Sequence, residues 1–249
     1  MPDGPTHPTR DARSTAGRPG GFARHTWWRA RDYAAVLRWQ VQGLLTDAGP
    51  DDLRHPDRPV GPPVVLVPGV YEPWHFLRPL GAMLHRHGIR VHTVPKLGIN
   101  SGPVPDAARL LGRHLAEHDL RDVVLVAHSK GGLIGKLAML REDPHDRIAS
   151  MVAVNTPFAG SSHARFLPLP AVRAFVPTDA TIVALAAELD VNTRISSVHS
   201  FWDPHIPGGS ALAGAEGVVL DTPGHFRPLA DARLEAYLLD RLVPGRRPS

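Results

Sequence analysis

Apolar residues along this chain fall into two kinds of pattern. Short runs dominated by β-branched and apolar residues occur at Pro63–Val67, Val123–Val126 and Ile148–Val154, and shorter or more mixed ones at Ile89–Val94, Ile195–Phe201 and Val218–Leu220. Such runs predict strands, the unbroken ones buried on both faces. Between them, apolar residues recur every three or four positions. This holds for Trp74–His87 (Phe76, Leu77, Leu80, Met83, Leu84), with Gly88 as its C-cap, and for Pro105–Asp119 (Ala107, Leu110, Leu111, His114, Leu115). It holds again after Ser129 (Leu133, Ile134, Leu137, Ala138, Leu140), where Pro144 bounds the helix, and over Leu229–Leu242 (Leu234, Tyr237, Leu238, Leu242). These spacings predict helices. Strand and helix alternate, which predicts an α/β fold with a mostly parallel central sheet covered by helices on both faces. No internal repeat is visible.

The main body of this pattern spans residues 59–245, preceded by a loop dense in Pro and Asp from Gly49 to Pro63. Residues 22–48 form an amphipathic N-terminal helix, clearest over His25–Leu45, with Trp28, Ala35, Trp39 and Gln42 near one face and Arg29, Arg31 and Arg38 interrupting. Its tryptophans and arginines suit peripheral contact with a membrane surface through residues 25–45. Packing of the helix against the body by its tryptophans is the preferred reading. Residues 1–21 are rich in Pro, Gly, Arg and Thr, lack an apolar core, and read as a disordered tail rather than a secretory signal. No apolar run reaches the ~18–20 residues of a bilayer span. Together these points indicate a cytoplasmic protein, membrane-peripheral if the helix touches lipid.

Composition narrows the chemistry. The 249 residues are 43% hydrophobic and 21% charged, enough for one large α/β domain. Cysteine is absent, so disulfides, thiolate metal sites and a cysteine nucleophile are excluded. The net charge of +4 comes almost wholly from scattered arginines, with lysine only at Lys96, Lys130 and Lys136. No basic stripe points to nucleic acid. The 15 histidines include no His-Glu-x-x-His or comparable cluster, so no metal or other cofactor is expected.

The strand at Val123 ends in Ala127-His128-Ser129-Lys130-Gly131-Gly132 before the next helical pattern begins. A serine at a sharp strand-to-helix turn needs small residues two positions away on either side, and Ala127 and Gly131 supply them. This segment resembles the nucleophile elbow G-x-S-x-G of the α/β-hydrolase superfamily, with Ala127 for the first glycine. Pro68-Gly69 occupies the place of the family's His-Gly after an earlier strand. The loop Asn155-Thr156-Pro157-Phe158-Ala159-Gly160-Ser161 is similar to the Gly-Thr-Pro-His-x-Gly-Ser loop of bacterial triacylglycerol lipases, with Asn155 for Gly and Phe158 for His. Gly224-His225-Phe226 closely resembles the family's Gly-His-Phe. The likeness covers about Pro62 to Leu242.

The resemblance implies a cofactor-free serine hydrolase of the lipase or esterase kind, with Ser129 as nucleophile, His225 as general base and Asp203 orienting it, in the family's order Ser, Asp, His. Asp221 is the rival assignment for the acid, His205 beside Asp203 is the other histidine at the site and is read as lining the substrate entrance, and His128 reads as a packing residue. The backbone N–H groups of Val70 and Lys130 are expected to form an oxyanion hole, or Tyr71 in place of Val70 if the loop is shifted by one. Tyr71, Trp74, Phe158 and Trp202 are the candidate substrate-binding side chains. A small cap or lid is expected at about 159–193, where apolar clusters are broken by Pro168, Pro170 and Pro177; core helices are the other reading. The expected partner is a small-molecule ester or a lipid. An amidase or thioesterase, or a non-catalytic binding protein of the same fold, remains open.

Overall fold

The computed structural model describes residues 20–44, 49–166 and 169–246. Residues 1–19 of the expected N-terminal tail and the end of the N-terminal helix, at 45–48, lie outside the described residues, whereas Gly20 and Gly21, expected in the tail, open the first helix. Among the described residues six strands form one sheet in the order β2-β1-β3-β4-β5-β6, and every pairing is parallel. They are β1 (Val64–Val67), β2 (Val91–Thr93), β3 (Val123–His128), β4 (Ile148–Val154), β5 (Ile195–Ser200) and β6 (Glu216–Leu220). The helices are α1 (Gly20–Leu44), α2 (Arg78–Arg86), α3 (Val104–Glu117), α4 (Lys130–Arg141), α5 (Pro170–Arg173), α6 (Ala180–Ala187) and α7 (Ala232–Leu242).

Alternation along the strands divides the core into two layers. Val123, Leu125 and Ala127 of β3 face one side and pack with residues of α3 and α4, while Val124 and Val126 face the other with residues of α1, α2 and α7. β3 is central and buried along its whole length. Its C-terminal end therefore delivers the Ser129 turn to the edge of the sheet from which βα loops emerge, where ligands bind in parallel sheets.

The sequence boundaries shift where local chemistry intervenes. The Trp74–His87 helix opens as a 3-10 turn, Trp74–Leu77, before α2, and Gly88 follows it at φ +84°. The last helix starts late because Pro228 lies in a 3-10 turn, Arg227–Ala230, and the Asp231 side chain caps α7 through the Arg233 N–H. In the 159–193 segment, α5 and α6 are short helices. Phe175, Ile182 and Leu185 turn into the core, whereas Phe166, Val183 and Leu189 face solvent.

On α1, two of the three tryptophans turn inward. Trp39 meets Phe76 edge-on at 5.5 Å, and Trp28 packs against Phe201 and Trp202. Trp27 is 61% exposed and shares the outer face with Leu37, Val41, Arg31 and Arg38. Among the described residues no helix is long and apolar enough to cross a membrane.

Candidate active site

Ser129 adopts φ +51° and ψ −119°, a conformation that L-residues avoid. Its surroundings enforce it. The Ser129 N–H donates to the Val154 carbonyl of β4, and α4 begins at the next residue. A Cβ on Gly131 would fall on the Val67 carbonyl oxygen, and one on Gly132 on the Thr156 hydroxyl. Both glycines are therefore needed for the elbow to sit against β1 and the loop after β4.

Three side chains from three loops converge here. The His225 Nε2 lies 3.0 Å from the Ser129 Oγ, and its Nδ1 lies 2.7 Å from the Asp203 Oδ2. Ser129 is 8% exposed and His225 4%. Asp203 is held by an Asx turn: its Oδ1 accepts the N–H groups of His205 and Ile206, which leaves Oδ2 for the imidazole. The Gly224 N–H donates to the Trp202 carbonyl and ties the two loops together.

The electrostatics are those of a coupled pair. Burial disfavours the His225 imidazolium, but the Asp203 carboxylate outweighs it, with help from Glu72 and Asp32, and raises the histidine above its ordinary range. Burial would raise the Asp203 carboxyl; His225 and the His205 N–H overcome it and hold the carboxyl below its usual range.

The rival residues have other partners. Asp221 is exposed and pairs with Arg233. His205 stacks on His225 at 4.7 Å with 8° between the rings, accepts or donates at Nε2 to the Tyr33 hydroxyl, and is pushed down to about 3, chiefly by burial and then by the neighbouring His225. His128 is more than packing. Its Nδ1 lies 2.8 and 3.0 Å from the two Glu72 carboxylate oxygens, and its Nε2 lies 3.1 Å from the His225 carbonyl oxygen. Both ring nitrogens thus face oxygen atoms, so the ring bridges the Glu72 carboxylate and the backbone of the His225 loop.

Glu72 was not singled out by sequence, yet its Oε2 accepts the Gly69 N–H at 2.6 Å. That contact pins the loop after β1 and leaves the next N–H, on Val70, without an acceptor among the described residues, as is the Lys130 N–H. Tyr71 is exposed and takes φ +59°. The Tyr71 N–H likewise has no acceptor among the described residues, so Val70 and Tyr71 both stand as candidates for the second donor. The Lys130 side chain is buried and turns away from Ser129, donating to the Asn100 carbonyl at 2.7 Å and to that of Gly102. Burial pushes its ammonium down to about 8. Asn100 in turn donates to the Pro68 carbonyl, which links the elbow, the loop before α3 and the β1 loop.

The four candidate substrate-binding side chains do not form one wall. Tyr71 is exposed and Trp74 half-buried on the loop after β1. Phe158 is 4% exposed and belongs to the core layer on the α3 and α4 side, because its loop folds back under the Phe158 N–H bond to the Thr156 carbonyl. Trp202 is covered by α1: His25 stacks on it at 4.9 Å and Trp28 meets it at 5.3 Å. It lines a cavity of about 300 Å³ between α1 and the Asp203 loop, together with His25, Arg29 and His163.

Two further residues escaped sequence reading. Asn155, at φ +47°, donates to the Gly224 and His225 carbonyls and accepts the Ser200 N–H. Asp32 of α1 is wholly buried and accepts the N–H groups of His225, Phe226 and Arg227. Asn155 heads the lipase-like loop but was read there only as a replacement for Gly, and Asp32 lies within no recognisable motif.

No protein-family model matches the chain, and no curated protein is similar to it in sequence. Solved structures do resemble it. The mature form of the Bacillus licheniformis lipase BlEst2 superposes with a TM-score of 0.60 at 15% identity, covering 77% of this chain and 95% of that one. A monoacylglycerol lipase from Paleococcus ferrophilus gives 0.55 at 16% identity, covering 73% and 95%. A bromoperoxidase from Bacillus anthracis gives 0.50 at 16% identity, covering 73% and 92%. At these identities the likeness concerns the fold, and it leaves the reaction to be argued from the residues themselves.

Proposed function

We propose that this chain, which has the α/β-hydrolase fold, is a serine hydrolase that cleaves carboxylic esters through an acyl-enzyme on Ser129. The observation that carries the reading is the buried hydrogen-bonded chain from Ser129 through His225 to Asp203, at 3.0 and 2.7 Å, on a strained turn at the end of the central strand.

In this reading the Ser129 Oγ attacks the ester carbonyl carbon while the His225 Nε2 takes its proton. Asp203 fixes the ring tautomer and stabilises the imidazolium. The negative charge that forms on the carbonyl oxygen meets the Val70 and Lys130 N–H groups, each worth roughly 3–4 kcal/mol to the transition state. Collapse breaks the bond to the leaving alcohol, which departs with the proton from His225. Water then attacks the acyl group with His225 again as base, releasing the acid and restoring Ser129. The exposed apolar side chains Phe166, Val183 and Leu189 on the 159–193 segment support an apolar acyl group and a cap over it.

Hydrolysis of p-nitrophenyl esters from acetate to palmitate, by the wild type and by Ser129→Ala, tests the proposal. Activity should vanish in the variant, and the chain-length optimum assigns esterase or lipase. A folded wild type that cleaves thioesters or anilides but no oxygen ester would move the assignment to another leaving group. One that cleaves none of them would leave a binding protein.

A further inference from the structure

The His225 backbone is gripped from two sides of unlike origin. Its carbonyl meets the His128 ring, at the end of β3, and the Asn155 amide, just past the end of β4. Its N–H, with those of Phe226 and Arg227, points the other way, into the Asp32 carboxylate at 2.8, 3.0 and 2.9 Å. Asp32 lies 193 residues earlier, on α1. Gly224 makes room for it, since a Cβ there would collide with Asp32 Oδ1.

A buried carboxylate is a poor way to attach a helix. It is stable only when its oxygens are saturated by donors, and Asp32 has no cation at ion-pair distance among the described residues. α1 has other anchors, in Trp39 within the core and Trp28 against Trp202. What Asp32 alone contributes is the orientation of three consecutive N–H groups, and through them the position of the His225 Cα. The next residue, Tyr33, reaches His205, the ring stacked on His225. Consecutive residues of α1 thus touch the surroundings of the same imidazole.

We propose that Asp32 is a positioning residue for His225, and that α1 is therefore part of the catalytic apparatus rather than an appendage. The inference rests on the Ser129 ester-hydrolase reading. A carboxylate that fixes the loop backbone keeps the imidazole within reach of both Ser129 and Asp203, where a displacement of about 1 Å is enough to slow the reaction about a hundredfold. The titratable groups facing His225 are Asp203 and His205 on the loop after β5, His128 at the end of β3, Glu72 on the loop after β1, and Asp32 on α1.

The test uses the full chain as wild type, Asp32→Asn, Asp32→Ala and Ser129→Ala, with the p-nitrophenyl ester that the wild type cleaves best. Asp32→Asn should lower kcat about 10–100-fold with KM within about threefold, at temperatures well below its Tm. The acid limb of its kcat/KM profile should move to lower pH, because a negative charge facing the imidazolium is gone. If Asp32→Ala fails to fold, Asp32→Asn, which keeps one acceptor oxygen and the side-chain shape, carries the test. A kcat within about twofold of the wild type and an unmoved acid limb overturn the proposal. So does a loss of kcat that disappears on cooling, which marks a purely structural role. A wild type inert to every ester overturns the ester reading instead, and Asp32's role with it.

Discussion

The Glu72–His128 pair offers a perturbation whose size follows from the geometry. Glu72 is almost fully buried and accepts the Gly69 N–H at 2.6 Å and the His128 Nδ1 at 2.8 and 3.0 Å, and His128 is wholly buried. Glu72→Gln keeps the shape but removes the charge. One amide oxygen must then choose between two donors, while its NH₂ is pushed against the other. Each bond to a charged group is worth about 1.5–3 kcal/mol, against about 1 kcal/mol for a neutral one, and an orphaned buried donor adds its desolvation. The variant should therefore lose about 2–4 kcal/mol of stability, read from urea unfolding near neutral pH by tryptophan fluorescence. His128→Asn and the double variant complete a cycle, for which the expected coupling energy is about 1.5–3 kcal/mol. Single-variant losses that add to within about 0.5 kcal/mol would refute the reasoning, because independent residues behave that way.

Two further predictions follow from packing and from titration. Gly131→Ala puts a methyl group on the Val67 carbonyl and should cost about 2 kcal/mol or more, and with it the proposed ester hydrolysis, whereas Gly217→Ala, with nothing within 4 Å, should stay within about 0.5 kcal/mol by the same unfolding assay. His92 and His114 are buried beside Arg54, each with an unpartnered ring nitrogen, and both are lowered to about 4, first by burial and then by neighbouring cations. Because they take up protons more readily when unfolded, stability should fall as pH drops from about 6.5 towards 4, by on the order of 3 kcal/mol for the pair after allowance for solvent screening. His92→Gln with His114→Gln should flatten that part of the pH–stability curve; an unchanged slope would contradict the assignment.

What the sequence made legible was local. The β-branched run at Val123–Val126, the small residues around Ser129 and the switch to helical spacing describe one continuous strand, turn and helix, and β3 and α4 fall there. Asp203 and His225 were singled out from the loops after strands and from the likeness of Gly224-His225-Phe226 to the family's Gly-His-Phe, and the structure brings both side chains to Ser129. Glu72 and Asp32 were not, because their partners lie 56 and 193 residues away and a lone acidic residue on a loop or helix carries no periodic signal. Lys130 was read for its N–H; the reach of its side chain to Asn100 depends on how the loop before α3 folds back. The aromatics were the weakest guide, since an isolated Phe or Trp in a loop says nothing about which side will cover it. Phe158 went to the core and Trp202 under α1.

The central claim is that Ser129 is a nucleophile made reactive by His225. Labelling with a fluorophosphonate, followed by intact-mass measurement and peptide mapping, tests it directly, with Ser129→Ala and His225→Ala as companions. The account predicts one adduct per chain on Ser129 of the wild type, none on Ser129→Ala, and labelling slowed severely in His225→Ala. A folded wild type that remains unlabelled, or one labelled equally fast without His225, would contradict it.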